Sequence, residues 1–583
     1  MYKCELDGFQ RKAIEVKDGA FLCIAGPGSG KTTVITHRVL SLIDKGVNPE
    51  NILVITFTKK AAVSMEKRFK DMIGDDVFMP VTFGTFHSVF FRIIRDYTSI
   101  KVENMVSDKE RTNICFEVLK KLGYLQKYDK DAINDALNMI SVLKNNLEND
   151  NGGCDINLEK NDDQVITGRI ENVGMLAMVS SEYAKTILNK YNEILDERKL
   201  IDYEDILIIM RKLCICNRDI LEKIQEKYKY IMIDEFQDIN ELQIDIIKRI
   251  SDKYGNIYAV GDEDQAIYGF RGARSDIMLK FNKIFKDARV LNLSNNYRSD
   301  VGIISTAKKL IVNNKMRYNK DICGISGDEG TFAVKIYQNA NDEFEFIREK
   351  TVNRKKGESI AILIRKNIDG IVISNYLDRL GIKHDFDLIG HPMYKMGIMY
   401  EVMKDIKVAV RSSELYNVDS RIIGRLKPPR ALEYILNAKG YNLRAKANVM
   451  VSDGIDILRA DSRKFATINE WIDYADGVIK DDCNKRIRDK TLEPYPIILT
   501  MHASKGLEFD TVIIPMLNEG IIPNRRVVTE EDLEEERRLL YVAMTRAKHN
   551  LYITARKSED GKSFEVSRFY QEIVGDFIVE KSR

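Results

Sequence analysis

The sequence predicts an α/β protein with two cores, each a mostly parallel sheet interrupted by a largely helical insertion. Three observations predict it. The chain has 583 residues, more than one hydrophobic core organises, so two to four domains are expected. Short apolar runs that read as buried strands, among them Phe21–Ala25, Tyr230–Ile233 and Ser359–Asn367, alternate with helical patterns. Elsewhere, KERTNICFEVLKKLGY and EYAKTILNKYNEILDERK carry helical periodicity with no strand between them.

The first strand carries the most chemistry. Phe21–Ala25 runs into GPGSGKT, Gly26–Thr32, and then into a helix opening with VITHRVLSLI. Three glycines let successive N–H groups and the helix N-terminus face a phosphate chain. The cradle is Gly26, Pro27, Gly28, Ser29, Gly30, Lys31, Thr32 and Thr33. Lys31 is expected at the β- and γ-phosphates and the Thr32 hydroxyl on Mg²⁺.

A cradle binds, but hydrolysis needs a metal anchor and a base. KYIMIDEFQD, Lys229–Asp238, places two carboxylates at the C-terminal end of a second short strand, the edge where ligands of open α/β sheets collect. Alone, this would read as an acidic loop. Beside the P-loop, Asp234 is expected to hold Mg²⁺ and Glu235 to polarise the attacking water, with both near the metal. YAVGDEDQAIYGFRGA, Tyr258–Ala273, repeats the pattern, and Gln265 at its tip is placed to sense the γ-phosphate. Tyr268, Phe270 and Arg271 follow on one loop, two aromatics and a cation suited to stacking unpaired bases.

Composition restricts the alternatives. Apolar content of 44% and charged content of 31% fit a soluble globular protein. No run of ~18 uncharged apolar residues could span a membrane. The N-terminus lacks the apolar centre of a signal peptide, so a cytoplasmic protein without a membrane partner is expected. The 91 basic and 89 acidic residues leave a net charge of +2, which argues neither for nor against nucleic acid. Eight cysteines, with Cys214 and Cys216 the closest pair, and six histidines show no metal-binding spacing. The one divalent ion expected is the Mg²⁺ that accompanies the nucleotide.

Further blocks occur in a fixed order: LDGFQRKA around Gln10, TFTKKAA (Thr56–Ala62), GTFHS (Gly84–Ser88), IDYEDIL (Ile201–Leu207), LSNNYRS (Leu293–Ser299), ILTMHASKGLEFDTVII (Ile498–Ile514) and EEERRLLYVAMTRAKHNLYIT (Glu534–Thr554). Together with the P-loop they resemble the UvrD/PcrA/Rep branch of superfamily I helicases, from about residue 5 to 570. The resemblance implies two RecA-like cores and a role for each matching residue. Gln10 would read adenine, Tyr297 stack on it, Glu508 contact the ribose, and Arg298 and Arg546 contact the γ-phosphate. Phe57, Thr58, His87 and His502 would touch DNA. Two arginines on one phosphate would hold two domains together until hydrolysis removes it.

The expected domains are 1–88 with 203–280 (first core), 89–202 (helical insertion), 281–386 with 495–583 (second core) and 387–494 (a short accessory insertion). Three substitutions depart from the family: Thr33 in place of an arginine beside adenine, Lys59 in place of an asparagine, and Phe270 in place of a tryptophan. The opening of the accessory insertion, LIGHPMYKMGIMYEVMKDI, is a worn version of the family's block, and neither a C-terminal tail nor a nuclease domain is expected. The function expected is a DNA-stimulated ATPase moving 3′ to 5′ on single-stranded DNA and separating duplexes at single/double-strand junctions. Two alternatives stand beside it: a motor subunit serving a nuclease or repair protein, as in an anti-phage complex, and a translocase that strips proteins from DNA.

Overall fold

A computed structural model describes residues 6–74, 77–125, 130–145, 181–269, 275–386, 397–411, 423–447, 449–484, 495–525, 527–559 and 562–575. The chain divides into two compact units, Met1–Glu329 with Glu534–Val542, and Gly330–Leu533 with Ala543–Arg583.

The first unit is built on a parallel sheet of β1 (Ala20–Ala25), β2 (Ile52–Thr56), β3 (Thr82–Thr85), β4 (Tyr230–Ile233), β5 (Ile257–Gly261) and β6 (Arg289–Leu293), in the order β3-β2-β4-β5-β1-β6. The central strands read as continuous apolar runs because both faces are covered. Alternate residues of one strand therefore feed different cores. Leu22, Ile24, Leu53, Ile55, Ile231 and Ile233 pack with the helices Phe86–Tyr97 and Asp205–Cys216. Phe21, Cys23, Val54, Met232 and Val260 pack with the helices Gly8–Glu15 and Lys31–Asp44. All six strands are parallel, so the tips of β1, β4 and β5 lie along one sheet edge.

Two boundaries differ from the sequence expectation. β6, grouped by sequence with the second core, pairs with β1 from Phe21↔Arg289 to Ala25↔Leu293. It gives β1 a neighbour on the side away from β5, and the first unit runs on to Glu329. The helix Phe86–Tyr97, reaching into the expected insertion, buries Val89, Phe90, Ile93 and Ile94 in the first unit's core. Among the described residues of the insertion, the helices Asp108–Lys121, Lys130–Asn145 and Ser181–Glu197 share a core of their own around Val118, Ile140 and Tyr191.

A short parallel pair, β7 (Asn295–Asn296) and β8 (Cys323–Gly324), follows in the first unit; the second unit carries β9 (Thr331–Asn339), β10 (Ile360–Ile364), β11 (Asp385–Phe386), β12 (Ile497–Thr500), β13 (Phe509–Ile514), β14 (Ala547–Glu559) and β15 (Lys562–Ser563). Their order is β11-β12-β10-β13-β14-β15, with β9 also on β14, and β14–β15 is the antiparallel pair. The helices Gly397–Arg411, Pro428–Ala438, Val449–Ser462 and Ile468–Asn484 close around Trp471. Residues 388–396 of the worn accessory block lie outside the described residues.

Candidate nucleotide site and nucleic-acid face

The P-loop begins where β1 ends, and two glycines make its path possible. Gly28 and Gly30 have φ of 64° and 82°, where a side chain is strained. Space is equally short: a Cβ at Gly28 would lie 2.6 Å from Arg298 Cβ, and one at Gly30 2.8 Å from Gln10 Nε2. Gly30 then caps the helix Lys31–Asp44 with no side chain of its own, leaving the N-terminal N–H groups to a ligand. Among the described residues the Lys31 ammonium is buried without a hydrogen-bond partner, 4.0 Å from Glu235 Oε2. A buried cation with no hydrogen-bond partner, beside a helix N-terminus that has no side-chain cap, fits a triphosphate.

Glu235 adopts the left-handed conformation, φ 53° and ψ 46°. For a non-glycine residue this is strain held in place by its surroundings. Gln237 Nε2 donates to Glu235 Oε2 at 2.5 Å, while Gln237 Oε1 accepts from Asp262 N at 2.9 Å. One amide thus ties the tips of β4 and β5 together. The sequence reading missed Gln237, although it lies inside the same acidic block. Asp234 is buried beside Glu235, and its Oδ1 accepts from Glu235 N at 3.0 Å.

Gln265 Nε2 donates to Asp262 Oδ2 at 2.6 Å. Asp262, Glu263 and Asp264 converge closely enough to resemble a metal site, but an ammonium already fills the space. Lys320 Nζ lies 2.8 Å from Glu263 and 2.9 Å from Asp264 and also bonds Asp262, and Arg317 pairs with Asp264 at 2.8 Å. Burial pushes Asp262 up, yet Lys320 and Lys31 together hold its carboxyl below the usual range.

The LSNNYRS block lies directly on the P-loop. Asn296 Nδ2 donates to Pro27 O at 2.5 Å, and Tyr297 N to Gly28 O at 2.9 Å. The Tyr297 hydroxyl bonds Asp7, which also accepts from Asn295 Nδ2 at 2.8 Å. Gln10 Nε2 donates to Ser29 O at 3.1 Å, and its Oε1 accepts from Asp7 N at 3.3 Å. The structure therefore gathers Gln10, the cradle from Gly26 to Thr33, Glu235, Gln265, Tyr297 and Arg298 around one strand edge.

The expected nucleic-acid residues of the first unit form two ring pairs. Phe57 stacks on Tyr268 with centroids 5.1 Å apart and planes 16° from parallel. His87 stacks on Tyr203 at 3.9 Å and 20°. The IDYEDIL block gives Tyr203 no role by sequence alone; its aromatic ring between acidic neighbours is the available signal. Thr58 is exposed, and its hydroxyl caps the helix Lys59–Ile73 by accepting from Ala61 N at 3.1 Å. Phe270 and Arg271 lie outside the described residues.

His502, Glu508 and Arg546 belong to the second unit. His502 is half-buried just after β12, and Glu508 is exposed and paired with Lys548 at 3.0 Å. Arg546 is 2% exposed and donates to Leu507 O at 3.3 Å and to Thr545 Oγ1 at 3.2 Å.

Comparison with known proteins decides the family. Residues 6–286 match the UvrD/REP helicase N-terminal domain, and residues 291–408 and 462–558 match the UvrD-like helicase C-terminal domain. The chain belongs to the UvrD/Rep helicase family. The helicase is 28% identical to DNA helicase II of Rickettsia typhi, over 99% of this chain and 96% of that protein. It is also 28% identical to the ATP-dependent DNA helicase PcrA of Staphylococcus epidermidis, over 98% and 86% respectively. Among the described residues, no helix of this helicase is long and apolar enough to cross a membrane.

Burial lowers His87 from its ordinary 6.5 to about 4, so it is neutral at physiological pH. The unfolded chain binds the proton first, so the folded state loses stability as pH falls from 6.5 towards 4. The wild type should therefore lose more melting temperature between pH 7 and pH 5 than H87F does. Equal losses would contradict a neutral, half-buried imidazole.

Proposed function

We propose that this helicase hydrolyses ATP with Mg²⁺ at the P-loop and uses the cycle to move 3′ to 5′ along single-stranded DNA, separating duplex at junctions. The observation that carries the reading is the buried Lys31 ammonium, which among the described residues has no hydrogen-bond partner and lies 4.0 Å from Glu235, at the start of a helix without a side-chain N-cap. Lys31 and the backbone N–H groups of Gly28–Thr33 hold the phosphates. Thr32, Asp234 and Glu235 are the residues that would hold Mg²⁺, which supplies charge neutralisation at the β- and γ-phosphates when bound. Glu235, oriented by Gln237, aligns the attacking water and accepts its proton. Arg298 and Arg546 are assigned to stabilise charge on the transferring phosphoryl group, an assignment that rests on the family resemblance. Polarity and translocation rest on the family resemblance.

Base selectivity follows from Gln10. Its two protein hydrogen bonds fix the amide and leave one N–H and one lone pair. That pair complements adenine, which offers an N7 acceptor and an N6 donor, whereas guanine offers two acceptors there. Gln10→Ala should reduce the preference for ATP over GTP by roughly tenfold in kcat/KM, each lost hydrogen bond being worth about 1 kcal/mol. An unchanged ratio would remove Gln10 as the base reader.

The two ring pairs are assigned to stacking unpaired bases along a single strand. The motor-subunit and protein-stripping alternatives gain support from no feature described above. The deciding experiment is steady-state ATP hydrolysis with and without a single-stranded oligonucleotide, followed by unwinding of duplexes bearing a 3′ or a 5′ tail. Strong stimulation and a requirement for the 3′ tail support the reading. Hydrolysis indifferent to DNA, or unwinding from the 5′ tail, overturns it.

A further inference from the structure

The helical insertion carried no chemistry in the sequence, yet it delivers one charged side chain into the interior of the first unit. Lys144 stands in the last turn of the helix Lys130–Asn145. Its side chain is 1% exposed, with the ammonium 2.9 Å from Asp202 and 2.7 Å from Asp205. The two aspartates are already locked to each other. Asp205 N donates to Asp202 Oδ1 at 3.0 Å, and Asp202 N donates to Asp205 Oδ2 at 2.9 Å. Tyr203 sits on the turn this box defines, 52% exposed and stacked on His87. Glu204, the next residue, is held by Arg111 at 3.2 Å from another helix of the insertion.

Asn145 reaches the other way. Its Oδ1 accepts from Asn240 Nδ2 at 3.3 Å. Asn240 caps the helix Glu241–Ser251 and stands two residues after the short turn that starts at Glu235, where Asp238 N donates to Glu235 O at 3.0 Å. Two consecutive residues of the insertion thus touch the segment bearing a base-stacking ring and the segment bearing the hydrolytic carboxylate.

A buried ion pair is weak evidence of stabilisation, because both charges lose hydration and an apolar filler of similar volume would often serve as well. An apolar filler would leave the two carboxylates of the box beneath Tyr203 facing each other with no opposite charge from Lys144. We infer that Lys144 and Asn145 form the junction through which base stacking at Tyr203 reaches the Glu235 turn, with Lys144 a positioning residue for the ring and Asn145 the link to the ATPase. The inference rests on the reading of Tyr203 and His87 as a DNA platform.

The test uses the full chain and measures ATP hydrolysis against a titration of single-stranded oligonucleotide for Y203A, K144M, K144R, N145A and the double variant K144M/Y203A. Y203A should raise the half-stimulating oligonucleotide concentration roughly tenfold, as loss of one base stack requires. K144M should raise it on the order of threefold to tenfold while the DNA-free rate and the KM for ATP stay unchanged. K144R should recover most of that loss. N145A should lower the maximal stimulation and leave the half-stimulating concentration where it was. In the double variant, the Lys144 change should add nothing to Y203A, because it acts through the ring. Multiplying effects in the double variant, or a DNA-free rate that falls in proportion to the stimulated rate, would overturn the inference. An unaltered titration for Y203A would instead remove the platform reading, and the junction with it. If K144M does not fold, D205N replaces it, since it removes one of the two charges facing Lys144 but keeps an oxygen there, and it must meet the same non-additivity with Y203A.

Discussion

Glu235→Gln should lower kcat for ATP hydrolysis by roughly 10² to 10⁴-fold, the range a positioned general base contributes, with little change in KM for ATP. The residue occupies a left-handed backbone position that an unconstrained glutamate would leave. Its carboxylate faces Lys31 at 4.0 Å and is oriented by Gln237 at 2.5 Å. Glutamine keeps the shape and an oxygen but accepts no proton from water, so the phosphates still bind while the hydrolytic step slows. A drop in kcat and kcat/KM together, with nucleotide affinity intact, is the signature of an interaction made only in the transition state. Single-turnover hydrolysis with a fluorescent nucleotide to follow binding separates the two. A variant that hydrolyses ATP at the wild-type rate would show that another group takes the proton. Gln237→Ala should reproduce a weaker form of the defect, because the base remains while its orientation is lost.

How much of this was legible in the sequence depends on the range of the interactions. The strands of the first sheet and the P-loop turn are local: four to six mostly apolar residues, then, after β1, glycines at positions that need positive φ. The reading placed them correctly as elements of a parallel α/β fold. The same local grammar could not show that Arg289–Leu293 joins the first sheet, because an edge strand is chosen by which neighbour it pairs with, and here that neighbour, β1, lies far away in sequence. Long-range polar pairing was equally silent. Lys320 fills a carboxylate cluster that begins at Asp262, and Lys144 enters a box at Asp202 and Asp205, each across a long stretch of chain. In sequence both lysines look like solvated surface charges, the usual fate of lysine. Tyr203 was missed for a related reason: only its stacking on His87, from a distant block, marks it out.

Lys31→Ala should abolish measurable hydrolysis, a loss on the order of 10³-fold or more in kcat/KM, because it removes a positive charge directed at developing negative charge in a site shielded from water. Stability supplies a second, opposite signature. A lysine kept for structural reasons would be paired, and its loss would lower the melting temperature. Among the described residues Lys31 Nζ is buried with no hydrogen-bond partner, and Glu235 at 4.0 Å is its recorded ion-pair contact. Burying an ammonium under those conditions costs free energy in the nucleotide-free protein. Truncation relieves that cost, so the melting temperature of nucleotide-free K31A should equal or exceed that of the wild type. Addition of Mg²⁺-ATP analogue should then raise the wild-type melting temperature and leave K31A nearly unchanged, since stabilisation by a ligand scales with its affinity for the folded state. Differential scanning fluorimetry with and without the analogue reads all four values. A K31A protein that melts well below the wild type without nucleotide would mean that the lysine holds the fold, and the phosphate role would then need another residue. The expected pattern, higher intrinsic stability with lost ligand stabilisation and lost turnover, is what a site strained for function rather than for folding produces.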